Sequence, residues 1–169
     1  ANGQVTLPST QYTQLNLEQL MNTRGNLNLD VNLPQLNTFL EDLSGQIGLQ
    51  GNFEGRLGEP LIALNADIIA LRYQDIALKE ASLDLNVDAK NDFDTQLQLD
   101  LVELAIASNM IDQGIVNLQG SQSNHQLRLK LQAQDLTTEH AFEGTLVLNE
   151  LRKTWSGTWN KAIINLPFT

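Results

Sequence analysis

The amino-acid sequence predicts an all-β protein, mainly antiparallel, with one or two short helices near the N-terminus. Two observations predict the strands: apolar and polar residues alternate strictly over many segments, and Gly, Asn and Asp clusters punctuate those segments. A third predicts a helix, because one short stretch after Leu33 changes to helical spacing.

In chain order, residues 1–24 read as a lead-in of strand and short helix. Leu17, Leu20 and Met21 share one helical face across Leu15–Met21. Residues 25–169 read as one groove-forming sheet domain, opening with Leu27, Leu29, Val31 and Leu33 alternating with Asn26, Asn28, Asp30 and Asn32. Leu36, Phe39, Leu40 and Leu43 then follow the i, i+3, i+4, i+7 rule of an amphipathic helix. Pro34 suits its first turn and Gly45 its end. Strands follow at Gln46–Arg56 and Leu61–Tyr73. Ala81, Leu83, Leu85 and Val87 mark the next, and Leu97, Leu99 and Leu101 the one after. Further strands read at Gly114–Gly120, through Leu127, Leu129, Leu131 and Ala133, at Ala141–Leu148 and at Thr154–Asn160. Lys90–Asp92 and Ser121–Asn124 carry turn chemistry. One wet face and one apolar face is the habit of antiparallel sheets.

Composition narrows the function. A formal charge of −10 argues against nucleic acid and against docking onto anionic headgroups, both of which use basic surface. Cysteine is absent, so disulfides and thiolate metal sites are excluded. No stretch reaches the roughly 18 apolar residues of a membrane-spanning helix, and no signal peptide opens the chain. The abrupt start at Ala1 suggests a piece of a longer protein whose signal or anchor lies elsewhere.

No catalytic or metal constellation is readable. His125 and His140 lie in strand-like surroundings without a partner cluster. Glu139 and His140 are strand neighbours and point to opposite faces. Asp84, Asn86 and Asp88, or Asp92 and Asp94, share faces but lack the order of a calcium loop. No phosphate loop or nucleophile elbow occurs, and Gly45, Gly48, Gly51, Gly55 and Gly58 read as bulges or close backbone approaches. Trp155 and Trp159 share a strand face and read as core or rim packing, with a sugar platform as the other reading. The chain is expected to be no enzyme, with no cofactor and no metal.

The apolar strand residue is mainly Leu, an indifferent strand former, with aromatics at only 5%. Either a Leu-filled β-sandwich or a single curved sheet with a partly open Leu face explains the pattern. A closed sandwich would be a structural or ligand-binding module of an envelope or adhesin protein. An open face would bind apolar clients.

Asp42–Gly55 reads D-L-S-G-x-I-x-L-x-G-x-F-x-G, preceded by the expected Leu-rich helix and followed by Pro60 and a strand ending near Tyr73. Gly120–Leu131 (G-S-Q-S-N-H-Q-L-R-L-K-L) and Phe142–Trp159 (F-E-G-T-L…W-S-G-T-W) follow in order. Together these resemble the TamB family, the inner-membrane-anchored subunits of the translocation and assembly module, among the AsmA-like groove proteins. The resemblance runs from about Leu33 to the end; Ala1–Thr23 does not share it.

The resemblance implies a curved, trough-like sheet with an apolar concave face. It implies a periplasmic segment of a Gram-negative envelope protein, working with TamA, an outer-membrane barrel of the Omp85 type. It implies a role in phospholipid transport, in outer-membrane protein assembly, or in both, with acyl chains or barrel precursors as clients. The expected lining is Leu27, Leu29, Val31, Ile47, Leu49, Phe53, Leu64, Ile68, Leu83, Leu85, Val87, Leu97, Leu99, Leu101, Leu127, Leu129 and Leu131.

Overall fold

A computed structural model describes residues 2–6, 21–134, 136–148 and 153–166. Ten antiparallel strands form one open sheet among them, each bonded only to its neighbours in sequence. They are β1 (Asn2–Thr6), β2 (Arg24–Leu33), β3 (Leu43–Arg56), β4 (Glu59–Tyr73), β5 (Ile76–Asp88), β6 (Asp94–Ile106), β7 (Asn109–Gly120), β8 (His125–Ala133), β9 (Leu136–Leu148) and β10 (Lys153–Asn165). The sheet curls into a trough but does not close, because β1 and β10 are its two edges.

The closed sandwich is not formed. A sandwich needs a second sheet over the apolar face, and all ten strands belong to one. Burial agrees: among the described residues only Leu36, Leu78, Ala81 and Ala89 are buried apolar side chains.

The helix expected from Leu36 to Leu43 is also not formed. Only one 3-10 turn, Leu36–Thr38, appears, and β3 already starts at Leu43. A helix this short needs a surface to bury its stripe. Leu36 is buried, but Phe39 stays 69% exposed and Leu40 is exposed too. Gly45 caps no helix. At φ +122° it sits where the register of β3 against β4 slips between Ser44 and Gln46, a bulge that suits a residue without Cβ. The other helix candidate, Leu15–Met21, lies almost wholly outside the described residues.

Hydrogen bonds brace both rims. The β3–β4 turn is held by Leu57 N–H to Thr23 O (3.0 Å) and Gly58 N–H to Met21 O (2.9 Å). At the same end Gln122 N–H donates to Asp92 O (2.7 Å) and Leu146 N–H to Gln122 O (2.8 Å). Ser123 N–H donates to Asp92 Oδ2 at 2.9 Å, tying the β5–β6 and β7–β8 loops together. At the opposite end Ala107 N–H donates to Asp75 O at 2.9 Å, and Gln134 N–H to Asp112 Oδ2 at 2.6 Å.

Candidate functional site

The register converts the alternation of single strands into continuous rows across the trough. One row runs Leu29, Gly51, Leu64, Leu85, Leu97, Leu118, Leu127, Phe142 and Trp159 from β2 to β10. The next runs Val31, Leu49, Ala66, Leu83, Leu99, Val116, Leu129, His140 and Ala162. On one side of this pair lies Leu33, Ile47, Ile68, Ala81, Leu101, Gly114, Leu131, Thr138 and Ile164. On the other lies Leu27, Phe53, Ile62, Val87, Thr95, Gly120, His125, Gly144 and Gly157.

All seventeen residues named from the sequence fall in these rows, on one face. Each is half-buried, whereas the Asn, Asp and Gln residues between them are mostly exposed. Ile62, Ala66, Val116 and Leu118 are among the further apolar members of the rows that the expected lining left out. Ile62 and Val116 sit in Leu61–Leu64 and Ile115–Val116, where consecutive apolar residues hide the parity. Rows two residues apart are spaced about 6.7 Å, so the four span roughly 20 Å along the strands.

The lining is uneven. Gly51, Ala66, Ala81 and Gly114 interrupt the leucines with small residues. A Cβ on Gly114 would touch Leu101 Cδ1 and Leu131 Cδ2, each at 3.3 Å, so leucines from β6 and β8 close over β7.

Over β8–β10 the lining changes from aliphatic to aromatic. Phe142 stacks on Trp159, ring centroids 5.0 Å apart, and His140 tilts against Trp159 at 5.2 Å. Trp155 lies over the facing pair Gly144 and Gly157. Its Nε1–H donates to His125 Nε2 at 2.8 Å, so the His125 proton sits on Nδ1, 3.3 Å from Ser121 O. Both tryptophans are exposed, so they pack at the rim and not in a core. His140 Nδ1 is buried with no hydrogen-bond partner.

Ion pairs lie apart from the four rows. Lys161 pairs with Glu139 at 2.6 Å, and this hydrogen bond holds the Glu139 carboxyl below its ordinary range. Lys79 pairs with Glu103 beside Ala81 and Leu101, where Ala70 and Glu103 adopt positive φ. On the polar face, Arg24, Arg56, Glu54, Glu59 and Lys90 line a shallow depression at the strand ends. Their charges are mixed and solvated, and none of the leucine-row residues lines the depression. Among the described residues no group of His, Asp and Glu has metal-binding geometry, and no helix is long and apolar enough to cross a membrane.

The family model for TamB, N-terminal domain, matches residues 11–169. No curated protein and no solved structure matches the chain.

Proposed function

The chain belongs to the TamB family of Gram-negative envelope proteins, and on that footing we propose that it is a periplasmic segment of an intermembrane conduit whose trough carries phospholipid by its acyl chains. The observation that carries this reading is a four-row apolar face, largely half-buried and without a covering layer among the described residues. Removing apolar area from water there contributes about 25 cal/mol per Å² and requires no directional contact. A lining of leucine broken by glycine and alanine conforms to a flexible hydrocarbon chain. The work is passive, involves no bond chemistry, and connects through the full-length protein to the outer-membrane barrel TamA.

The edge strand β10 favours a second role, assistance in outer-membrane protein assembly. It runs from Lys153 to Asn165 and pairs only with β9 among the described residues. A barrel precursor can add as a strand at such an edge through backbone hydrogen bonds.

Photocrosslinking in living cells tests both roles, with the full-length protein carrying probes at Leu85, Leu99 or Leu129. Asp84, Gln98 and Arg128 on the opposite face serve as controls. Phospholipid captured from the leucine positions alone is the expected result. Barrel precursors captured there instead shift the reading to assembly, and silence at all six positions overturns it.

A further inference from the structure

We infer that His140 offers a single hydrogen-bond donor to the trough, and that this donor holds the ester carbonyl of a diacyl phospholipid. The inference rests on the reading of the trough as a phospholipid carrier and adds the group that recognises one polar atom of the cargo.

His140 is set in the apolar face with Leu129 and Ala162 as its register partners, and it packs against Phe142 and Trp159. Of its two ring nitrogens, Nδ1 is sealed from solvent and has no partner. Orphaned buried N–H groups are rarer in folded proteins than under-satisfied buried acceptors. The neutral ring therefore keeps its proton on Nε2, the nitrogen that is not sealed. The result is one N–H on a half-buried ring set between Leu129 and Ala162 in the apolar face.

Such a donor calls for an acceptor carried on an apolar molecule. The other polar groups of this aromatic patch are already engaged: Trp155 Nε1–H by His125, and Trp159 Nε1–H by Lys161 O. A protein strand is a poor occupant of the face, because the sheet's own amides are used in strand pairing and the client's would go unpaired. An acyl chain has no amides, and its ester carbonyl supplies the acceptor. Thr138 and then Leu136 lead from His140 to the β8–β9 end of β9, four residues or about 13 Å away. A headgroup attached beyond the ester clears the lining on that side.

The test uses full-length protein with a photoreactive residue at Leu99, reconstituted in vesicles of equal parts dioleoyl phosphatidylethanolamine and its dialkyl ether counterpart, which lacks the carbonyls. The ratio of captured ester to ether lipid is read by mass spectrometry. The expected ratio favours the ester by about three- to ten-fold, the effect of one hydrogen bond formed in apolar surroundings. His140→Phe brings the ratio to parity, and His140→Gln, which restores an N–H, recovers the preference. Equal capture of both lipids by the unmodified protein overturns this inference and leaves the proposed carrier intact. Capture of neither lipid overturns the carrier itself.

Discussion

The indole N–H of Trp155 reaches across β9 to His125 Nε2, 2.8 Å away, laying its ring over the facing glycines Gly144 and Gly157. Two glycines paired across a sheet weaken it, since neither has a side chain to pack. Here the empty pair is what makes room for the ring.

Gly144→Val is therefore expected to evict the ring, because even a Cβ there would stand 2.6 Å from Trp155 Cζ2. In a Trp159→Phe background Trp155 is the remaining tryptophan. Its fluorescence should shift to the red and become more quenchable by iodide, and the domain should lose about 1–3 kcal/mol of stability in urea unfolding.

Charges on the trough floor should be tolerated by the fold. Leu85→Asp and Leu99→Arg lie at half-buried positions open to water. They should lower stability by under about 2 kcal/mol, against several for a charge sealed in a core. Circular dichroism should stay near that of the parent, while complementation by the full-length protein is lost. Wholesale unfolding would mean a closed face.

Gly48 and Gly51 lie three residues apart in β3 and should respond oppositely to alanine. Nothing lies within 4 Å of a Cβ at Gly48, so Gly48→Ala should be neutral or stabilise by up to about 1 kcal/mol. At Gly51 the new atom would meet Ala63 O at 2.7 Å and Leu64 Cδ1 at 2.9 Å. Gly51→Ala should cost about 1–3 kcal/mol, measured by thermal and urea unfolding.

Acid should loosen the rim brace. Hydrogen bonds from Ser123 and Ser121 hold the Asp92 carboxyl below its ordinary range. A carboxyl whose folded pKa is depressed stabilises the fold above its unfolded pKa, and that contribution fades as pH falls through the folded value. Asp92→Asn should therefore be less stable than the parent near neutrality. The two stability–pH curves should converge once the pH drops below the ordinary Asp range.

The strand faces were legible because a period of two leaves little choice. Leu27 to Leu33, Leu83 to Val87 and Leu127 to Leu131 all show the parity that the register bears out. Strand ends were less legible. β5 begins at Ile76 and β7 at Asn109, several residues before their alternation becomes clear. The tight turns before them place Gln74 and Ala107 at positive φ, where glycine or asparagine would have signalled a turn. The Leu36–Leu43 spacing misled because periodicity records which residues could share a face, not whether anything covers it. The aromatic patch was illegible for a different reason. His125, Phe142, Trp155 and Trp159 come together only through the pairing of three strands, and no local spacing encodes that. Whether the leucine rows are sealed or open depends on a second layer, which alternation within one strand does not specify.

Strictly sequential pairing has a consequence for how such a molecule is made and altered. No strand waits for a distant partner, so each hairpin can dock as soon as it leaves the ribosome, against a template already in place. The same arrangement makes length a free variable. Duplicating or deleting one hairpin lengthens or shortens the sheet by two strand spacings, roughly 10 Å, and leaves every other pairing unchanged. The length of such a sheet is set by the number of its hairpins.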